Sequence, residues 1–331
     1  MNIKAGIIGG AGMTGGELLR VLLNHPHLKV TFVHSRSQAG NLISSVHNDL
    51  FGETSMTFTD TIGEADVYFL CLGHGESRKF LEENALSPTS LLIDLSQDFR
   101  LKEGVVEDRS TVMGGREFIY GLPELQKEAI QKASSIANPG CFATAIQLAL
   151  LPAAKASLFK TDIHVSAITG STGAGLKPMS TTGFSWRNNN ISSYKVFNHQ
   201  HLLEIGQSVR QLQDDFEQDI NFIPYRGNFS RGILASVYFE SDLEEKEIFK
   251  LYEEYYRDSA FTFVTSDAID LKQVVNTNKC LLSVQKHGKN ILVTSVIDNL
   301  LKGAVGQAVQ NMNLMLGLEE TTALKLKTIA F

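Results

Sequence analysis

Cysteine is scarce in this chain: Cys71, Cys141 and Cys280 are three among 331 residues. They are odd in number, widely separated and without the close pairs that bind zinc, so neither a disulfide framework nor a metal site is expected. Positive charge is not in excess either. Lys and Arg number 30 against 36 Asp and Glu, a formal net charge of −6, and no dense basic cluster could track a phosphate backbone; no nucleic-acid partner is expected. No apolar run is long enough to span a bilayer, and the stretch Met1 to Gly9 turns glycine-rich too early for a signal peptide. A cytoplasmic location is therefore expected. What is present, 43% hydrophobic and 20% charged residues, is ordinary for a globular protein and sufficient for two domains with a core in each.

The N-terminal part alternates short apolar strands with helices. Lys4 to Ile8 reads as a strand, and the turn Gly9-Gly10-Ala11-Gly12-Met13-Thr14-Gly15-Gly16 leads into a helical pattern from Glu17 to Leu23. Gly10, Gly12 and Gly15 fit G-x-G-x-x-G, and Gly9, Gly12 and Gly15 fit G-x-x-G-x-x-G; either brings backbone close to a pyrophosphate at a helix N-terminus. A dinucleotide site over Gly9, Gly10, Gly12, Met13, Thr14 and Gly15 is expected. The second strand, Lys29 to His34, ends in Ser35-Arg36-Ser37, where an NAD-preferring protein would carry an acid for the ribose 2′-hydroxyl. Arg36 between two hydroxyls suits a 2′-phosphate, so NADP(H) is the expected cofactor. Asp66 to Leu72 and Leu91 to Leu95 read as buried parallel strands. The first leads to Gly73 and His74 in a loop facing the cofactor; the second delivers Ser96 and Arg100 to the same edge of the sheet. Arg100 is a candidate to hold an anionic substrate, or else one half of a surface ion pair.

The chain is organised around Ala137-Asn138-Pro139-Gly140-Cys141. A strand ends at Ala137, Pro139-Gly140 is a turn, and Phe142 to Ala156 has apolar positions at helical spacing. Cys141 therefore stands at a helix mouth, where unpaired N–H groups and the helix dipole favour the thiolate. The alternative is a small buried apolar side chain. Beyond that helix come alternating strands at Ile163 to Thr169, Gly232 to Glu240, Thr262 to Thr265, Cys280 to Lys286 and Lys289 to Asp298, the pattern of a mostly antiparallel sheet in an α+β domain. Ser171 lies in a small-residue loop directly after a strand, and Ser185 to Ser193 is polar; such loops line sites. His199 and His201 open a helical stretch to Phe216. At i and i+2 they do not share a helix face, and with no third ligand they make no metal site. One of them is a candidate general acid or base near Cys141, oriented by Glu204.

Together the motifs Gly9-x-x-Gly12-x-Thr14-Gly15, Asp94-Leu95-Ser96 with Phe99-Arg100, Tyr120-Gly121-Leu122-Pro123-Glu124, Asn138-Pro139-Gly140-Cys141, His199-x-His201-x-x-Glu204, Arg231-Gly232-Ile233-Leu234 and Asp298-Asn299-Leu300-x-Lys302-Gly303-Ala304 resemble the N-acetyl-γ-glutamyl-phosphate reductases of arginine biosynthesis. The resemblance runs in order over nearly the whole chain. It implies an α/β architecture like that of glyceraldehyde-3-phosphate dehydrogenase: a Rossmann-type doubly wound parallel sheet over 1–140 with a C-terminal helix 303–331 returning to it, and a catalytic and oligomerisation α+β domain over 141–302. It implies a homodimer or homotetramer and NADPH-dependent reduction of an acyl phosphate to a semialdehyde through a Cys141 thioester, with His201 or His199 moving the proton. It also implies Arg100, Ser96, Asn138, Ser171 and Arg231 as substrate contacts and Asn299 as a contact of the nicotinamide.

Two stretches depart from the family pattern. Pro224-Tyr225-Arg226 stands where Pro-His-Leu is common, and Leu176 stands where an Arg commonly follows the small-residue loop. Arg226 could pair with the free carboxylate of an N-succinyl group, where an acetyl methyl offers nothing to pair, or could replace the missing Arg. Aspartate-semialdehyde dehydrogenase shares the cysteine and hydride logic but fits the motifs less well. An aminoadipate-type reductase of lysine biosynthesis is nearer, and a non-catalytic NADP-binding regulator would need no thiol at a helix mouth.

Overall fold

A computed structural model describes residues 2–103, 105, 110–176 and 180–328. The chain forms two compact units, one from residues 1–139 and 304–325, the other from 140–303 and 326–331.

In the first unit β1 (Ile3–Ile8), α1 (Met13–Leu22), β2 (Leu28–His34), β3 (Val67–Leu70), α2 (Glu76–Glu83) and β4 (Leu91–Asp94) follow one another. A two-stranded ribbon comes next, β5 (Val112–Met113) and β6 (Arg116–Glu117), then β7 (Ile119–Tyr120), α3 (Pro123–Lys132) and β8 (Ser135–Ala137). The main sheet runs β2-β1-β3-β4-β8-β7 and every pair in it is parallel. Its strands are short apolar runs because helices cover both faces of a parallel sheet. The order reverses between β1 and β3, and the turns after them leave from the carboxyl edge. Phe99 and Phe118 stack at 4.0 Å in a core with Phe32, Tyr68, Leu70 and Leu92.

The second unit holds α4 (Cys141–Lys155), β9 (Ile163–Thr169), the single turn α5 (Phe184–Arg187), β10 (Ser192–Ser193), α6 (His201–Leu212), β11 (Ile220–Arg226), β12 (Ile233–Glu240), α7 (Glu245–Tyr256), β13 (Thr262–Thr265), β14 (Cys280–His287) and β15 (Asn290–Ile297). The seven strands lie in the order β10-β11-β9-β12-β15-β14-β13. Four of the six pairs are antiparallel; β11 with β9 and β14 with β13 are parallel. The expected sheet is therefore present, with two strands, β10 and β11, more than the alternation pattern shows. β11 is hidden by Pro224, which reads as a strand breaker. It is tolerated because only the β9 flank of β11 is paired along its whole length, and β10 pairs with two residues alone. Helix α4 is buried from Phe142 to Ala154, so its Ala- and Leu-rich sequence is that of a helix enclosed on all sides. Tyr252 of α7 donates to its Ala149 carbonyl at 2.6 Å.

After β15 the chain makes one π-helical stretch, Leu301–Val305, and then α8 (Gly306–Met315), which packs on α3 in the first unit. The return expected as a helix over 303–331 is helical only to Met315. Residues 326–331 group with the second unit, where the Lys327 carbonyl accepts from Asn276 at 2.9 Å; 329–331, like Met1, lie outside the described residues. Within the first unit the buried Asn311 of α8 donates to Gly121 O at 2.9 Å and to Asn138 Oδ1 at 3.1 Å. Replacing it with Ala strands two buried acceptors. Asn311→Ala is expected to lower stability by roughly 1–3 kcal/mol, read from the midpoint of urea unfolding.

Candidate active site

Cys141 is the first residue of α4, and its neighbour Gly140 is the N-cap, with extended backbone and no side chain to cap it. No side chain at the N-cap therefore meets the N–H groups of the first turn beside the thiol. Gly140 is placed from below by Glu204, whose Oε2 accepts its N–H at 3.0 Å. The His201 ring closes the other side: a Cβ on Gly140 would stand 2.3 Å from Nε2. Only glycine fits between that ring and the cysteine turn. A second glycine presses from the π-helical stretch, since a Cβ on Gly303 would lie 2.9 Å from Cys141 Cβ. The Gly303 N–H reaches back five residues to Asp298 O at 2.9 Å, the bulged pattern that often marks functional sites.

Asp298 is fully buried and takes five N–H donors: Arg231 Nε at 3.0 Å and Nη2 at 3.1 Å, and the backbones of Asn276, Leu300 and Leu301. Asn299 beside it accepts from Gly232 N–H at 2.7 Å and donates to Thr172 Oγ1 at 3.0 Å. The candidate nicotinamide contact and the candidate substrate contact Arg231 are therefore both engaged in holding the loops around Cys141. Ser171 is half-buried in the loop after β9, its N–H on Phe229 O at 2.9 Å.

His199 and His201 are closer than helical spacing predicts, with ring centroids 4.6 Å apart, because His199 lies in non-helical backbone just before α6. Both are buried. The His201 N–H donates to His199 Nδ1 at 3.2 Å, which leaves the hydrogen of a neutral His199 on Nε2. Burial above all, then the neighbouring His201 and Lys195, depresses His199 to about 3, against the opposing pull of Glu204. Glu204 lies 3.9 Å from His201 Nε2, beyond hydrogen-bond length, so its shorter contact is with the Gly140 backbone. Tyr194, absent from the candidates read in the sequence, stands edge-on to His199 at 5.9 Å and carries the Arg226 guanidinium 4.6 Å above its ring. Burial first, and then the nearness of Cys141, push its phenol up to about 12.

Arg187, also unforeseen, is buried and donates to the carbonyls of Thr181, Asn190 and Arg226 and to Ser192 Oγ. Its partners are mostly backbone carbonyls, so no residue-type pattern in the polar loop could have revealed it.

In the first unit Gly9 has φ +80° and a Cβ there would meet Cys71 O at 2.6 Å, while Gly15 lies against the Gly10 backbone, at 2.5 Å for the same test. These two shape the turn. Gly12, the N-cap of α1, meets nothing closer than 3.8 Å, so its Cα lies open at the start of the helix. Ser35 Oγ and Ser37 Oγ are 3.4 Å apart, and the exposed Arg36 lies 3.9 Å from Glu83. Gly73 and His74 are exposed after β3, where His74 Nδ1 accepts from Gln97 N–H at 3.3 Å.

The motif after β4 is wired inward. Ser96 donates to Asp94 at 2.7 Å, Arg100 to Leu95 O at 2.9 Å, and Asp98 takes the N–H groups of Gly75 and Arg78 at the start of α2. Asn138 gives its amide N–H to Ala304 O at 2.9 Å. Among the described residues no three His, Cys, Asp or Glu side chains are grouped to hold a metal.

Two family matches cover most of the chain: residues 4–133 match the semialdehyde dehydrogenase NAD binding domain, and 141–299 the semialdehyde dehydrogenase dimerisation domain. The chain is 58% identical over 328 residues to the N-acetyl-gamma-glutamyl-phosphate reductase of Christiangramia forsetii, covering 98% of both chains. It is 56% identical to that of Parabacteroides distasonis, covering 99% of this chain and 100% of the other. Among solved structures it resembles aspartate semialdehyde dehydrogenase II from Vibrio cholerae, at a TM-score of 0.73 and 18% identity over 96% of this chain and 99% of that one. The Candida albicans enzyme solved with NADP gives 0.70 and 11% over 95% and 98%. At those identities the likeness is one of fold.

The His199 geometry has a consequence for stability. An unfolded chain protonates this ring near 6.5, whereas the folded one resists to about 3, so the unfolded state binds more protons between those values and stability falls with falling pH. His199→Gln is expected to flatten that part of the acid-unfolding curve, followed by circular dichroism; a curve of unchanged steepness would assign the loss to other groups, such as His25 and His34, whose pKa burial also lowers.

Proposed function

The chain belongs to the N-acetyl-γ-glutamyl-phosphate reductases, and we propose that it performs the reductive dephosphorylation of an N-acyl-γ-glutamyl phosphate to the N-acyl-glutamate semialdehyde, with NADPH, in the third step of arginine biosynthesis. What carries this reading is Cys141 at the open end of α4, with the buried His201 ring packed against the glycine before it.

Cys141 Sγ attacks the γ-carbonyl carbon. A C–S bond forms, the C–O bond to phosphorus breaks, and inorganic phosphate departs, leaving a thioester. His201 takes the thiol proton and hands it to the departing phosphate oxygen. His199 stays neutral throughout and fixes the His201 backbone through its Nδ1. The first-turn N–H groups of α4 face the charge that develops on the carbonyl oxygen. NADPH supplies the hydride that reduces the thioester carbon. The C–S bond then breaks, the sulfur leaves as thiolate and the aldehyde is released. The turn Gly9 to Gly15 would hold the pyrophosphate and Arg36, with Ser35 and Ser37, the 2′-phosphate, since a carboxylate that would reject that group is missing at the end of β2. The first unit is the cofactor domain in this reading, the second the catalytic one.

A second copy of the chain covers the face of the large sheet turned away from α4. On that side Ile168, Leu234, Leu281 and Leu292 are only half-buried, and Tyr238, stacked on His164 at 4.8 Å, is exposed. Such a face asks for a partner, and this part of the chain matches a dimerisation domain. No helix among the described residues is long and apolar enough to cross a membrane, in keeping with a biosynthetic enzyme of the cytoplasm.

The test is phosphate-dependent reduction of NADP⁺ with N-acetylglutamate semialdehyde. The native protein is expected to be active and Cys141→Ser inactive; equal rates would remove the cysteine from the chemistry. Gly140→Ala, which drives His201 off the cysteine turn, is expected to lower kcat on the order of 100-fold while the protein stays folded.

A further inference from the structure

We propose that Arg226, laid over the ring of Tyr194 at the end of β11, is the residue that recognises a carboxylate of the substrate. The inference rests on the reductase reading and deepens it.

β9 and β11 run parallel, and Arg226 pairs with Thr169, so the last residue of each strand reaches the same edge. One carries the loop of Ser171; the other carries Arg226. From there a row of rings leads to the cysteine: the guanidinium 4.6 Å over Tyr194, Tyr194 edge-on to His199 at 5.9 Å, His199 4.6 Å from His201, and His201 against Gly140. Arg226 is thus the cationic end of the wall beside Cys141.

Two other arginines of the second unit are occupied. Arg187 is committed to carbonyls and a hydroxyl, one of those carbonyls being that of Arg226 at 2.7 Å, and Arg231 is held in a fork by Asp298. Arg226 has no carboxylate paired with it among the described residues, and its buried Nε has no hydrogen-bond partner there. Its backbone is pinned and its plane is set by the ring, so little side-chain freedom remains to be lost on binding. A flat guanidinium held by one face presents its N–H edge, the geometry that takes a carboxylate by two parallel hydrogen bonds.

An N-acylglutamyl substrate offers such a group in two places. The glutamyl α-carboxylate is present whatever the acyl group, and a dicarboxylic acyl group such as succinyl adds a second at the far end.

Steady-state rates with the N-acetyl and N-succinyl semialdehydes, in the phosphate-dependent oxidative direction, decide the matter for the native enzyme, Arg226→Gln and Arg226→Lys. Arg226→Gln is expected to raise KM about 10- to 100-fold for at least one substrate with kcat altered far less, and Arg226→Lys, which keeps the charge and loses the fork, is expected to recover part of the loss. A rise for both substrates assigns the α-carboxylate. A rise for the succinyl compound alone, which the native enzyme would then prefer, assigns the acyl carboxylate. Unchanged KM for both, or a fall in kcat alone, overturns the inference while leaving the reductase standing. A native enzyme inert to both would sink the reductase reading and this one with it. Should Arg226→Gln fail to fold, native Cys141 can be protected from iodoacetamide by N-acylglutamates and, in parallel, by their carboxamide analogues. Stronger protection by the acids is expected, and equal protection by acid and amide overturns the inference.

Discussion

One buried carboxylate holds the second unit in register. Asp298 sits beyond the reach of water at the end of β15, where an unpaired charge would be untenable. Its five N–H donors come from the start of β12, the turn before β14 and the first residues of the π-helical stretch. Satisfying that charge therefore draws three separate segments to one point. The Asp298 carbonyl then takes the Gly303 N–H and brings Gly303 against Cys141. The position of the nucleophile is thus set by electrostatics several residues away. Removing one donor leaves the charge under-paired in a dry site, and the loops lose their reason to converge.

The first unit was largely legible in the sequence because its signals are local. A parallel strand covered on both faces must be apolar throughout, and Lys4 to Ile8, Asp66 to Leu72 and Leu91 to Leu95 are nearly so. The turn at Gly9 carries its own steric reason, since φ +80° and the Cys71 carbonyl leave no room for a Cβ. Cys141 was readable for the same cause: a strand end, Pro-Gly and an apolar helical run fix a helix mouth within a few residues. The second unit was less open. β11 carries a proline that counts against a strand until the short β10 on one flank is known. Arg187 and Asp98 act mainly on backbone groups and Tyr194 on rings, so no pattern of side-chain types marks them.

The solved structures that share this architecture are named for a different substrate, and at 11–18% identity they share little else with the chain. The fold therefore supplies a cofactor turn, a helix mouth and a sheet, but no choice of substrate. Choice must come from side chains at the sheet edge, where β9 and β11 end. It is there that Thr169 and Arg226 end their strands side by side.

The two histidines show how one short stretch divides its labour. Both rings are buried and 4.6 Å apart, so two positive charges there would repel strongly. The conflict is resolved by making one ring an acceptor: His199 takes the His201 N–H on Nδ1 and is held neutral to about pH 3. His201 is the ring that borders Gly140, with the Glu204 carboxylate 3.9 Å away. The spacing His-x-His, which looks like a redundancy in sequence, places the two rings in different backbone because the helix begins between them.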